Sequence, residues 1–151
     1  MKTDIMKLLE TGLSIQDTSM AGLQKILLVE DNQQIVDLYS TVLKKENYDL
    51  DIATTVDQAL EKAKSFNPDI VLLDIMLPGG RSGLEALMIL RTDPNYGCTD
   101  KYILMITNLG INDELEKAWK EYADGYIVKA EIVPHDLLKI IDSLNSDKNS
   151  Q

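Results

Sequence analysis

Glu30, Asp31, Asp74, Thr107 and Lys129 are the residues of this sequence whose types and placement point to chemistry. Each stands at the carboxyl end of a short apolar run: KILLV before Glu30-Asp31, DIVLL before Asp74, YILMI before Thr107 and GYIV before Lys129. Carboxylates brought close together raise one another's pKa, and the repulsion is relieved by protonation or by a cation set between them. A donor set of oxygens, without histidine or thiolate, favours a hard ion such as Mg²⁺. One Asp at a strand end is ordinarily a turn or a helix cap. Three acids with a Lys and a Thr, all at such ends, read instead as a site.

The elements that must position them follow from two alternating periods. Lys25 to Glu30 predicts a strand, and Gln34 to Glu46 repeats Ile35, Leu38, Tyr39, Val42 and Leu43 at helical spacing. Leu50 to Ala53 predicts a second strand. Thr55 with Gln58 predicts a capping box that opens a helix through about Phe66, ended by Asn67-Pro68. Asp69 to Asp74 is the most apolar run, expected at the centre of the sheet with both faces buried. The glycine-rich loop Pro78 to Gly83 leads into a helix over Leu84 to Arg91. Tyr102 to Thr107 gives the fourth strand, and Asn112 or Asp113 caps a helix from about Glu114 to Tyr122. Tyr126 to Lys129 gives the fifth strand, and Pro134 opens a last helix to about Leu144. Five strands each followed by a helix require an α/β fold, a parallel sheet doubly wound with helices on both faces. In open sheets of this kind ligands bind outside the carboxyl ends of the strands, where the residues above collect.

With 151 residues, 44% hydrophobic and 26% charged, the chain has the size and composition of one globular domain. Asp and Glu number 25 against 15 Lys and Arg, a formal net charge of -10, which argues against binding nucleic acid or an anionic membrane surface. The single cysteine, Cys98, excludes an internal disulfide and a cysteine-built zinc site, and agrees with a reducing cytoplasm. No apolar run approaches the ~20 residues of a membrane helix, and the N-terminus lacks the pattern of a signal peptide. Residues 1–22 are expected to be a flexible extension, 23–146 the domain, and 147–151 a polar tail. No output domain is expected beyond Leu144.

The chain resembles a two-component response-regulator receiver domain from about Leu23 to Ser146. The resemblance rests on Val29-Glu30-Asp31-Asn32, on Leu73-Asp74-Ile75-Met76-Leu77-Pro78-Gly79, on Ile106-Thr107 and on Gly125-Tyr126-Ile127-Val128-Lys129, in that order. It implies a five-stranded (βα)5 flavodoxin-like sheet of order 2-1-3-4-5 and a stand-alone phosphoacceptor module rather than an enzyme. Asp74 would be the phosphoacceptor, a carboxylate nucleophile that takes a phosphoryl group from a phosphohistidine. Asp31, Asp74 and the backbone carbonyl of Met76 would hold Mg²⁺, with Mn²⁺ as a substitute and Glu30 acting through water. Lys129 and Thr107 would contact phosphoryl oxygens, and Tyr126 would follow Thr107 inward as an aromatic switch. The implied partners are a histidine kinase or histidine phosphotransfer protein and a downstream protein target, with the domain itself a monomer or weak dimer.

Three departures from the family pattern bear on lifetime and partner fit. Asn108 follows Thr107 where a small residue is common, Ala130 follows Lys129 where a cis-proline is common, and the loop after Asp74 is one residue longer than usual. An aspartyl phosphohydrolase resembling the haloacid dehalogenase group is the competing reading. It calls for a second acid two residues after the nucleophile, and that position is Met76. His135 is expected to be exposed in the first turn of the last helix, Cys98 to have no catalytic role, and Trp119 and Tyr122 to pack at the core or its edge. A chain starting at Met20 is expected to fold and accept phosphoryl groups at the rate of the longer chain, as followed by thermal melting and intact mass. Marked destabilisation would make residues 1–19 part of the working protein.

Overall fold

A computed structural model describes residues 24–108, 113–129 and 133–149. The expected N-terminal extension, the Asn112 cap and the Ala130 peptide lie outside them. In chain order the elements are β1 (Lys25–Val29), α1 (Gln33–Lys45), β2 (Asp49–Ala53), α2 (Val56–Phe66), β3 (Ile70–Asp74), α3 (Gly83–Thr92), a short 3₁₀ turn (Pro94–Tyr96), β4 (Tyr102–Thr107), α4 (Asp113–Tyr122), β5 (Gly125–Val128) and α5 (Pro134–Asn149). The strands pair in parallel in the order β2-β1-β3-β4-β5, as the resemblance implies. The last helix runs five residues past Leu144, because Asn145 to Asn149 contains neither glycine nor proline to stop it.

Alternation along each strand builds two cores. Leu27, Val29, Val71, Leu73, Ile103 and Met105 face α2 and α3, where Ala59, Leu60, Ala63, Leu87 and Leu90 close over them. Ile26, Leu28, Ile70, Leu72, Leu104, Ile106 and Ile127 face α1 and α5, against Tyr39, Leu43, Leu137 and Ile141. Side chains on successive strand residues point to opposite faces, so a strand covered on both sides reads as one continuous apolar run. That is why β3 is buried at all of its residues, Asp74 included.

Caps and loops place the strand ends. Asn32 accepts from the amides of Gln34 and Ile35 and starts α1 directly after the first pair of acids. Thr55 accepts from the Gln58 amide as expected, but the Gln58 side chain returns its bond to Thr54 instead of Thr55, one residue earlier than in a capping box. At the other end of α4, Arg91 donates to the carbonyls of Tyr122 (2.6 Å) and Lys101 (2.8 Å) and pairs with Asp124 at 2.8 Å. One guanidinium thereby ties α3, the loop before β4 and the C-terminus of α4 together. Tyr48 receives the Asn145 amide at 3.1 Å and donates to Asp142 at 3.4 Å, which joins the start of β2 to α5. Burial and the neighbouring Asp142 push this phenol up to about 12.

The loop after β3 is shaped by glycine. Gly79 and Gly80 adopt φ of 93° and 77°, the left-handed region that favours glycine. Gly83 is different, since it lies against the backbone of Asp74. Its amide donates to the Ile75 carbonyl at 2.7 Å, and a Cβ there would overlap the Asp74 carbonyl oxygen and stand 2.8 Å from its carbon. No flexible side chain is available to give way. Gly83→Ala is therefore expected to cost about 3 kcal/mol, read from the urea midpoint. An unchanged midpoint would mean that the loop yields without moving β3.

Candidate functional site

The carboxyl ends of β1, β3, β4 and β5 converge on one side of the sheet. Glu30 continues β1 through its amide bond to the Ala53 carbonyl (2.9 Å) and is fully buried. Asp74 closes β3 at 4% exposure, and Thr107 closes β4 at 7%. Lys129 follows β5 and is held in ladder geometry by its amide bond to the Thr107 carbonyl (2.7 Å). Asp31, one residue beyond Glu30, is exposed. Oxygens of Glu30, Asp31 and Asp74 all lie within 4.8 Å of one another. The sequence-predicted acids and lysine therefore meet, with Thr107 beside them at the end of the adjoining strand.

One ammonium serves two of the carboxylates. Lys129 Nζ stands 2.5 Å from Glu30 Oε2 and 3.2 Å from Asp74 Oδ2, with all three side chains almost entirely enclosed. Glu30 Oε1 accepts from the Asn32 amide at 3.1 Å and Asp74 Oδ1 from the Met76 amide at 3.3 Å. Oε2 of Glu30 is engaged by its close contact with the Lys129 ammonium. Burial raises the Glu30 carboxyl, and Asp74 adds to this, against the lowering effect of Lys129. Burial pulls the Lys129 ammonium down, yet its contacts with Glu30 and Asp74 outweigh it and the net shift is upward. Three carboxylates grouped this closely, with Asp31 open to solvent, are all-oxygen donors that fit a hard divalent ion that retains water.

Around this centre the side chains differ in kind. Asn108 points into solvent. Met76 is 72% exposed at the rim, beside an open groove of about 410 Å³ lined by Ile75, Leu77, Arg81 and Leu84 among others. Arg81 bridges Asp57 and Glu85 across the loop, a surface contact of small energetic weight. Tyr126 is 45% exposed, its ring 4.7 Å from that of Trp119. His135 is exposed, as expected, and Cys98 is wholly buried, with burial pushing its thiol up.

Sequence reasoning missed Tyr39. It sits on α1 as one more member of an apolar stripe, but its phenol is buried within the electrostatic reach of Lys129, Glu30 and Asp74. Its hydroxyl on a helix that starts beside the acids was the available signal. The ring contact between Trp119 and Tyr126 was also missed, since no periodicity relates a helix residue to a strand residue seven positions later.

An open parallel sheet thus gathers acids, a hydroxyl and an ammonium at the carboxyl ends of its strands, where folds of this kind bind their ligands. The family model described as "Response regulator receiver domain" matches residues 26–142, and the chain belongs to that family. It is 32% identical over 123 residues to the chemotaxis protein CheY of Halobacterium salinarum, covering 82% of this chain and 98% of that protein. It is also 32% identical over 106 residues to the DNA-binding response regulator MtrA of Mycobacterium tuberculosis, covering 70% of this chain and 44% of that protein. The chain thus spans less than half of that longer relative. Among solved structures, the CheY-like receiver domain protein from Methanospirillum hungatei superposes with a TM-score of 0.73 at 28% identity, over 85% of this chain and 98% of that one. Receivers of this kind are modules of two-component signalling.

Replacing Lys129 by an apolar chain leaves Glu30 and Asp74 buried and unpaired. Lys129→Met is expected to cost about 3–5 kcal/mol at neutral pH in metal-free buffer, read by urea unfolding. The pH dependence has a definite sign. Because the Glu30 carboxyl is raised above its ordinary 4.5, its contribution to stability is full below that value and is lost as the pH rises through the raised one. The penalty of Lys129→Met should therefore shrink as the pH falls from neutral toward 4.5. A penalty independent of pH would show that the lysine matters for packing rather than for charge.

Proposed function

We propose that this receiver takes a phosphoryl group from a phosphohistidine onto Asp74 and passes the event on by protein contact or by onward transfer. An oxygen of the Asp74 carboxylate bonds to phosphorus while the bond from phosphorus to imidazole nitrogen breaks, leaving an acyl phosphate and a neutral histidine. The observation that carries this reading is the Lys129 ammonium held between Glu30 and Asp74, a buried positive charge within reach of whatever Asp74 bears. Lys129 would pair with one phosphoryl oxygen as a compact point charge. The Thr107 hydroxyl would donate to another, and Tyr126 would then follow it inward. Asp31, Asp74 and the Met76 carbonyl would hold Mg²⁺, or Mn²⁺ in its place, with Glu30 reaching it through water. Bound there, the ion offsets charge on the phosphoryl oxygens.

The same reading covers partners and place. A histidine kinase or histidine phosphotransfer protein supplies the group, and Met76, exposed at the rim, offers it an apolar foothold. The net charge of -10 supports a protein target over nucleic acid. Among the described residues no helix is long and apolar enough to cross a membrane. A buried free thiol at Cys98 supports the cytoplasm as the compartment, and a monomer or weak dimer as the working form completes the proposal. Residues 23–146 are taken as the receiver, somewhat wider than the matched 26–142.

Incubation with a small phosphodonor and Mg²⁺ is expected to add one phosphoryl group to the wild-type chain and none to Asp74→Ala, by intact mass. Full labelling of Asp74→Ala would overturn the assignment. Thr107→Ala is expected to label at Asp74 yet to show smaller amide shifts around Asn108 and Tyr126 with beryllofluoride. A full wild-type pattern in that variant would remove Thr107 from the relay.

A further inference from the structure

We infer that Trp119 is a latch that holds Tyr126 in its outward position, so that an indole outside the acid site sets how readily the domain enters its loaded state. The inference rests on the reading of Tyr126 as the switch side chain. Tyr126 lies on β5, an edge strand, with nearly half of its surface in water. Its ring meets that of Trp119 with centroids 4.7 Å apart and planes inclined at 56°. Tilted aromatic pairs at this separation attract through their quadrupoles as well as through buried area.

The two rings are not equally free. Trp119 is also packed against the core that α2 and α3 close over. The C-terminal end of its helix is fixed by Arg91, which holds the Tyr122 carbonyl at 2.6 Å and Asp124 at 2.8 Å. The indole is therefore the fixed wall and the phenol the movable partner. An inward turn of Tyr126 gives up the ring contact.

A ligand that favours the inward state gains affinity in proportion to the population of that state. Removing the latch should therefore tighten binding of a phosphoryl mimic, by about threefold to tenfold for a pair of this geometry. Trp119→Leu keeps apolar bulk and removes the ring. It is expected to bind beryllofluoride with Mg²⁺ more tightly by that factor, followed by amide shifts, even where its melting temperature falls. A purely structural role would lower stability without tightening any ligand.

Fluorine NMR with Tyr126 labelled as fluorotyrosine supplies the second readout. The wild-type resonance is expected to move on loading, and the unloaded Trp119→Leu resonance to sit part of the way toward the loaded position. Trp119→Phe, which keeps a smaller ring, is expected to change both measures in the same direction by less, and serves if the leucine variant does not fold. A wild-type resonance that stays in place on loading would remove Tyr126 as the switch and the latch with it. A resonance that moves in wild type, with affinity and unloaded position unchanged in the variants, would overturn the latch alone.

Discussion

One buried ammonium between two carboxylates is the constraint on which the rest of this molecule depends. Glu30 and Asp74 are both almost fully removed from water, and neither has a place there without Lys129. Two anions and one cation leave an excess of negative charge, and that imbalance makes the cluster receptive to a further cation or to a change in what Asp74 bears. The fold supplies the burial. Parallel pairing of β1, β3 and β4 brings chain ends from distant parts of the sequence to one edge, where the two cores stop and polar groups begin.

Much of this could be read from the residues alone. Continuous apolar runs identify strands buried on both faces, and the acids, Thr107 and Lys129 stand out because each ends such a run. The helix start at Thr55 was visible for a similarly local reason, since the capping side chain and the amide it serves are neighbours in sequence. Details that depend on competition between neighbours shifted by a residue. Gln58 chose Thr54 over Thr55, and β5 ended at Val128 instead of Lys129.

What stayed hidden was set by packing between elements far apart or differently periodic. Tyr39 reads as an ordinary core residue until α1 is laid against the sheet, which brings its phenol near Lys129. Arg91 reads as a charged residue at a helix end, yet it holds carbonyls on two other segments. Gly83 could be any loop glycine, and only the backbone of Asp74 lying against it explains the absence of a side chain. Charge type and hydrophobic run length are written locally, whereas close approach is a property of the assembled layers.

The sorting of β3 into two cores has a mechanical consequence. Val71 and Leu73 belong to one side of the sheet, Ile70 and Leu72 to the other, and none of them is exposed. Moving the strand toward either helical layer compresses one close-packed interior while opening a void in the other, and both are resisted. Asp74 is thus mounted on a stiff beam clamped along its length. The sheet beneath the acids therefore behaves as a rigid floor on which their spacing is fixed.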